Sequence, residues 1–97
     1  MDMSDEINRM ADEIEKVINS DAFRLGDQTS VKRLKFIASN YLFSGSYARG
    51  KAHEIASYAD DFCKRGANQN LILAKIEDRL RRIKREGLKH ELPNTHS

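Results

Sequence analysis

Tryptophan is absent from this 97-residue chain, and cysteine, proline and glycine are scarce. One cysteine, Cys63, cannot form an intramolecular disulfide, which leaves a reducing cytoplasm as the simplest home. One proline, Pro93, stands near the end, so nothing before it forbids helix on proline grounds. No apolar run approaches the roughly 20 residues that a membrane span requires. The opening residues are acidic and hold no continuous apolar stretch, so no signal peptide is expected. Alternating β-branched and polar runs are missing too, which argues against a sheet.

What is present favours helix. Ala, Glu, Lys, Arg, Leu and Ile dominate. Hydrophobic residues make up 39% of the chain, enough for one modest core and little more. So small a core leaves a homodimer or a docked complex open. The net charge of +2 is unevenly spread: residues 1–20 carry −4 and residues 67–97 carry +3. Such polarity either orients a partner or pairs two ends of one fold.

The apolar spacing predicts an all-α fold, a small bundle of about four helices with a short helix at 21–26. Residues 1–88 form the single domain and 89–97 a disordered tail, since Pro93 and Asn94-Thr95-His96-Ser97 end the pattern. The first helix spans about Asp5 to Asn19, capped by Ser4, with Ile7, Met10, Ile14, Val17 and Ile18 inward. Ala22, Phe23 and Leu25 plug one end of the core. Thr29 or Ser30 caps a second helix from Val31 to Phe43, whose inner residues are Val31, Leu34, Ala38 and Tyr41, flanked by Ile37 and Leu42. Ser46 caps a third from Tyr47 to Arg65, with Ala48, Ala52, Ile55, Ala59 and Phe62 inward and Gly66 as its stop. Asn68 or Asn70 caps the last helix, which ends near Gly87 and buries Leu73, Ile76, Leu80 and Ile83.

Candidate chemistry is sparse. His53 and Asp60 are seven apart on the solvent face of the third helix, two turns from contact, so no general acid–base pair is expected. One cysteine and three dispersed histidines fit no zinc spacing, and no cofactor is expected. Gly45-Ser46-Tyr47-Ala48-Arg49-Gly50 lacks the lysine of a phosphate loop. Cys63 reads as a small half-buried hydrophobe. The chain is therefore read as a non-enzymatic binder. Tyr41, Phe43 and Tyr47 bracket the second break, with Arg49 and Lys51 adjacent, and aromatics beside cations suit a protein interface. A nucleic-acid accessory role, using Lys32, Arg33 and Lys35 at the start of the second helix and Arg81, Arg82 and Arg85 on the fourth, is the alternative. The first of these clusters stands in the helix's first turn, where positive charge opposes the dipole. A purely structural oligomer is the third reading.

One stretch adds a named expectation. Ser46-Tyr47-Ala48-Arg49 opening a helix, Asp60-Asp61 near its end, and Lys64-Arg65-Gly66-Ala67 leading to the next helix resemble the small helical Gam-type nuclease inhibitors of lambdoid phages. The resemblance spans Ser46 to Ile76, about a third of the chain. It implies a phage-encoded recombination accessory protein that binds the host RecBCD nuclease in the host cytoplasm. Gam-type inhibitors are acidic DNA mimics, whereas this stretch is basic, so the resemblance implies docking on a protein subunit. Independently of it, the short turn at Gly66 makes the third and fourth helices antiparallel neighbours and brings Ile55, Phe62, Ile76 and Leu80 together. Phe62→Ala is expected to cost about 3–5 kcal/mol, close to the whole stability of so small a domain. An unchanged melting temperature in that variant would contradict this packing.

Overall fold

A computed structural model describes residues 2–91 as five helices: α1 (Met3–Ile18), α2 (Asp21–Arg24), α3 (Gln28–Asn40), α4 (Ser46–Phe62) and α5 (Gln69–Glu91). No strand occurs among the described residues. Four helices are long and α2 is a single turn, as the apolar spacing predicts.

The helix starts are set by acids more than by the hydroxyls expected. Asp2, not Ser4, caps α1: its carboxylate accepts from the Asp5 N–H at 3.0 Å and from Ser4 Oγ at 2.9 Å. Those two donors, the Asp5 amide first, hold the Asp2 carboxyl below its ordinary range. Asp27 caps α3 by accepting from the Thr29 N–H at 2.9 Å, which moves the start three residues before Val31. Lys32, Arg33 and Lys35 consequently lie past the first turn, where the dipole penalty has largely decayed. Ser46 is the first residue of α4 rather than its cap. Gly45, with φ of +87°, occupies the cap position with no side-chain bond. Asn68 does cap α5, accepting from the Leu71 N–H at 3.2 Å.

The ends differ as well. α3 stops at Asn40 because Tyr41 leaves helical geometry, and α4 stops at Phe62. α5 runs through Gly87 to Glu91, so the tail expected from residue 89 begins no earlier than 92. Glu86 pairs with His90 one turn on at 2.9 Å, and Glu91 accepts from Asn8 Nδ2 of α1 at 3.0 Å. Residues 92–97 of the expected tail lie outside the described residues.

α4 is central, packing on α3 and α5, while α1 closes the bundle against α5 and, less extensively, α3. α3 and α5 make no extended contact. The stripes read from the sequence supply the core: Ile7, Met10, Ile14, Ile18, Val31, Leu34, Ile37, Ala38, Ala48, Ala52, Ile55, Ala59, Phe62, Ile76, Leu80 and Ile83 are all buried. Val17 and Leu73 pack against it half-buried. The plug is Phe23 alone, stacked on Phe62 with ring centroids 4.5 Å apart. Leu25, expected beside it, is 87% exposed.

The unequal charge of the two ends is partly consumed inside the fold. Glu15 of α1 pairs with Lys84 of α5 at 2.9 Å, and Glu13 of α1 with Arg33 of α3 at 3.0 Å. Gly87 marks where α1 and α5 touch: a Cβ there would lie 3.1 Å from Ile7 Cγ2 and would collide with the side-chain oxygen of Asn8. Gly50, by contrast, has open space around the same point.

These two helical glycines should therefore respond oppositely in urea unfolding. Gly50→Ala gains stability, by up to about 1 kcal/mol, through helix propensity. Gly87→Val loses about 1–3 kcal/mol by overpacking the α1–α5 contact. Shifts of the same sign would contradict that close approach.

Candidate docking site

The connection from Tyr41 to Gly45 is fastened at three points. Tyr41 turns its ring into the core, and its hydroxyl donates to the Glu13 carboxylate, the same group that Arg33 pairs with. Burial, then the hydrogen bond to Glu13 and the negative charges of Glu13 and Glu6, push the Tyr41 phenol up to about 12. Ser44 is buried, and its Oγ donates to the Tyr41 carbonyl at 2.9 Å. Gly45 supplies the left-handed turn, with the Met3 sulfur 3.4 Å from where its Cβ would stand.

Two large side chains are held outward between these anchors. Leu42 is 62% and Phe43 71% exposed. Tyr47 (45%) follows on the first turn of α4, and Met3 (39%) stands over Gly45. A single exposed apolar side chain is ordinary, but Leu42 and Phe43 stand side by side on one pinned turn, with Met3 over Gly45 at its end.

The residues singled out in the sequence separate into different roles. Tyr41 is an internal anchor, not a contact residue. Phe43 is the most exposed member of the outcrop. Tyr47 turns toward α5. The Lys51 ammonium lies 5.3 Å from its ring centre, and Arg82, on the facing side of α5, hydrogen-bonds to Asp78 at 2.9 Å, which foremost raises the guanidinium's proton affinity. Arg49 is two residues past Tyr47, about 200° round the helix, so it faces away from α5 and does not share a surface with Tyr47. Its Nε is buried with no hydrogen-bond partner among the described residues.

Tyr47 opens a seam that linear reading missed. Tyr47, Lys51, Glu54 and Tyr58 recur along one side of α4, and Lys75, Asp78, Arg79 and Arg82 answer them from α5. Arg79 joins the two helices: it pairs with Glu54 at 2.9 Å and Asp78 at 3.0 Å, and donates to the Tyr58 hydroxyl at 3.3 Å. Arg79 foremost holds the Glu54 carboxyl below its usual range. The spacings of four, three and four beside the apolar stripe were the available signal. Leu42 and Met3 were also missed as surface residues, and Leu42 was assigned to the flank of the core.

The basic groups of the nucleic-acid reading do not converge. Lys32, Arg33 and Lys35 are on α3, and Arg81, Arg82 and Arg85 on α5, two helices without extended contact. Arg33 is engaged by Glu13, and Arg81 and Arg82 by Asp78 at 3.7 and 2.9 Å. Lys32, Lys35 and Arg85 are exposed with no ion pair among the described residues. His53 is exposed, and Asp60 lies 4.0 Å from Lys64. Burial first, then Asp60 and Asp27, push the Cys63 thiol up, which disfavours the reactive thiolate. A groove of about 420 Å³ opens between α1 and α3, with Val17 and Ala22 among its walls and Lys16 and Arg33 among its lining residues. No helix among the described residues is long and apolar enough to cross a membrane.

Compared with known proteins, the chain matches no family model, no curated protein and no solved structure.

The Tyr41 anchor gives a signed pH dependence. Folding raises its proton affinity, so its contribution is complete below the ordinary tyrosine value of 10 and fades as pH climbs toward about 12. In urea unfolding across that window, Tyr41→Phe should lose less stability than the parent chain. Parallel losses in the two proteins would show that the hydroxyl is not buried against Glu13.

Proposed function

We propose that this protein is a non-enzymatic binder that docks on a protein partner through the outcrop of Leu42 and Phe43, with Met3 and Tyr47 beside it, and thereby modulates a larger complex. The observation that carries the reading is the pinned turn. Two large apolar side chains are presented to solvent by a backbone whose neighbouring side chains are buried and hydrogen-bonded. A preformed anchor loses less conformational entropy on binding than a loose one. Aromatic side chains set among polar neighbours are the usual energetic centre of a protein interface. Lys51, 5.3 Å from the Tyr47 ring centre and paired with Glu54 at 3.4 Å, belongs to the polar rim of this corner.

For the partner, the resemblance of Ser46–Ile76 to Gam-type inhibitors supports a host RecBCD-type nuclease, bound through a protein subunit by a phage-encoded protein acting in the host cytoplasm. The nucleic-acid reading ranks second. Its two basic groups stand on helices that do not meet, and half of the six side chains are already paired within the fold.

Binding to purified RecBCD, followed by fluorescence anisotropy, tests the reading. Leu42→Ser with Phe43→Ser should weaken binding by about 30-fold or more, the loss of a hot spot, with the helical circular dichroism unchanged. Arg81→Glu with Arg85→Glu should mainly alter the on-rate and its salt dependence. A reversed order, with DNA shifted in a gel at low salt and released steeply as salt rises, would establish the nucleic-acid reading instead.

A further inference from the structure

Of the four long helices, α3 alone carries no acid: its residues include Lys32, Arg33 and Lys35 and neither Asp nor Glu. Its buried stripe is Ser30, Val31, Leu34, Ile37 and Ala38. At about 100° per residue, Lys32 and Phe36 fall opposite that stripe, one turn apart, with Arg33 and Lys35 on either flank. Phe36 is 57% exposed there, a large aromatic at the outermost line of the helix. The Arg33 guanidinium lies 5.6 Å from the Phe36 ring centre. Arg33 is itself fixed by Glu13 of α1 at 3.0 Å, and Glu13 also accepts from the Tyr41 hydroxyl. Arg33 is thus a planar support for the ring more than a free charge. Lys32 and Lys35 are exposed with no ion pair among the described residues. Two carboxylates bond to α3 among the described residues, Glu13 to Arg33 and Asp27 to Thr29 at the helix start, and neither pairs with a lysine. On α4, the flank turned from α5 carries Arg49 and His53 with one acid, Asp60, which lies 4.0 Å from Lys64.

We propose that this face of α3 binds single-stranded nucleic acid, with one unstacked base on the Phe36 ring face opposite Arg33 and the adjoining phosphates on Lys32 and Lys35. The occupant must be anionic, because the two lysines lack partners and α3 has no acid of its own. It must also offer a flat π surface, because the group at the centre of the face is an aromatic ring backed by a guanidinium that Glu13 already engages. A polyanion with free bases meets both conditions, through charge along its backbone and stacking on the ring. A duplex meets only the first, since its bases stack on one another. An acidic peptide meets the lysines and leaves the ring without a flat partner. Two phosphate contacts and one stacked base make a weak site, with a Kd of about 10–100 µM at low salt. The face uses none of the residues of the Leu42–Phe43 outcrop and none of the α5 arginines, so it is testable apart from both.

Phe36→Trp in the full chain supplies the measurement, because the chain has no tryptophan of its own. At about 50 mM salt, an oligothymidylate of about 20 nucleotides should quench the emission of that single indole, as a stacked base does, and poly-L-glutamate should not. In fluorescence anisotropy with the same strand labelled, Phe36→Ala should weaken binding about fivefold or more, and Phe36→Tyr should hold it within about twofold. Lys32→Gln with Lys35→Gln should weaken it and reduce the slope of log K against log salt by about 1.4, the share of two phosphate contacts on a single strand. The exposed positions of all three residues keep the fold, as circular dichroism will verify. A strand left unbound at about 1 mM protein, ten times the weakest Kd expected, would overturn the proposal. So would binding indifferent to Phe36→Ala, or a duplex bound as tightly as the single strand. Binding of poly-L-glutamate in place of the oligonucleotide would overturn it in favour of an acidic protein on this face. Strand binding that survives Leu42→Ser with Phe43→Ser supports the α3 site whatever RecBCD does, and strand binding abolished by that pair would move the contact to the outcrop and refute it.

Discussion

The hydroxyl of Tyr41 against the carboxylate of Glu13 is the contact on which the exposed apolar turn of this molecule depends. α3 could have continued to Phe43, because Leu42 continues an acceptable apolar stripe. Instead Tyr41 leaves the helix and places its ring in the core, where Glu13 accepts from its hydroxyl. A buried hydroxyl without a partner would be costly, so the two groups are only stable together. With Tyr41 inside, the next two residues have no route back to the core. Ser44 and Gly45 close the turn behind them, and Leu42 and Phe43 are left in solvent by the geometry of their neighbours.

The rest of the bundle makes that end rigid. α4 presents Ala48, Ala52, Ala56 and Ala59 to the core, small enough to admit both α3 and α5 closely. α5 is long because its last turn is held by α1 through Asn8 and Glu91, and Gly87 allows the two backbones to approach. Exposed ion pairs such as Lys84–Glu15 add little each. Their arrangement nevertheless explains the uneven charge along the chain: acids of α1 meet bases of α3 and α5. Lys32 and Lys35 of α3 and Arg85 of α5 remain exposed with no ion pair among the described residues, as do the apolar side chains of the turn.

Periodicity made the core legible. Spacings of three and four locate Ile7, Met10 and Ile14, or Ile76, Leu80 and Ile83, whichever helix they meet, because burial of one face is what produces the spacing. The ends were less legible, because capping is a competition among neighbours. Asp2 displaced Ser4, and Asp27 displaced Thr29 and Ser30, in each case a carboxylate offering a stronger acceptor to the first free amides. Gly87 read as a terminator since glycine often ends helices, but here it is a point of contact between helices. The site was half legible. Aromatics around a glycine turn marked the corner where large apolar side chains stand exposed, yet of Tyr41 and Phe43, two residues apart, one is buried and the other is in solvent. Tyr47 and Arg49, equally close in sequence, point to different flanks of α4. Adjacency in the chain does not carry direction, and direction is what separates an anchor from a contact.

The account's central claim is that Leu42 and Phe43 are presented by a fixed frame rather than by a loose loop. Backbone ¹⁵N relaxation of residues 41–46 measures this directly. Generalised order parameters near ~0.85, the level of rigid backbone, are predicted across the turn, and values below about 0.6 at Leu42 and Phe43 would contradict the claim.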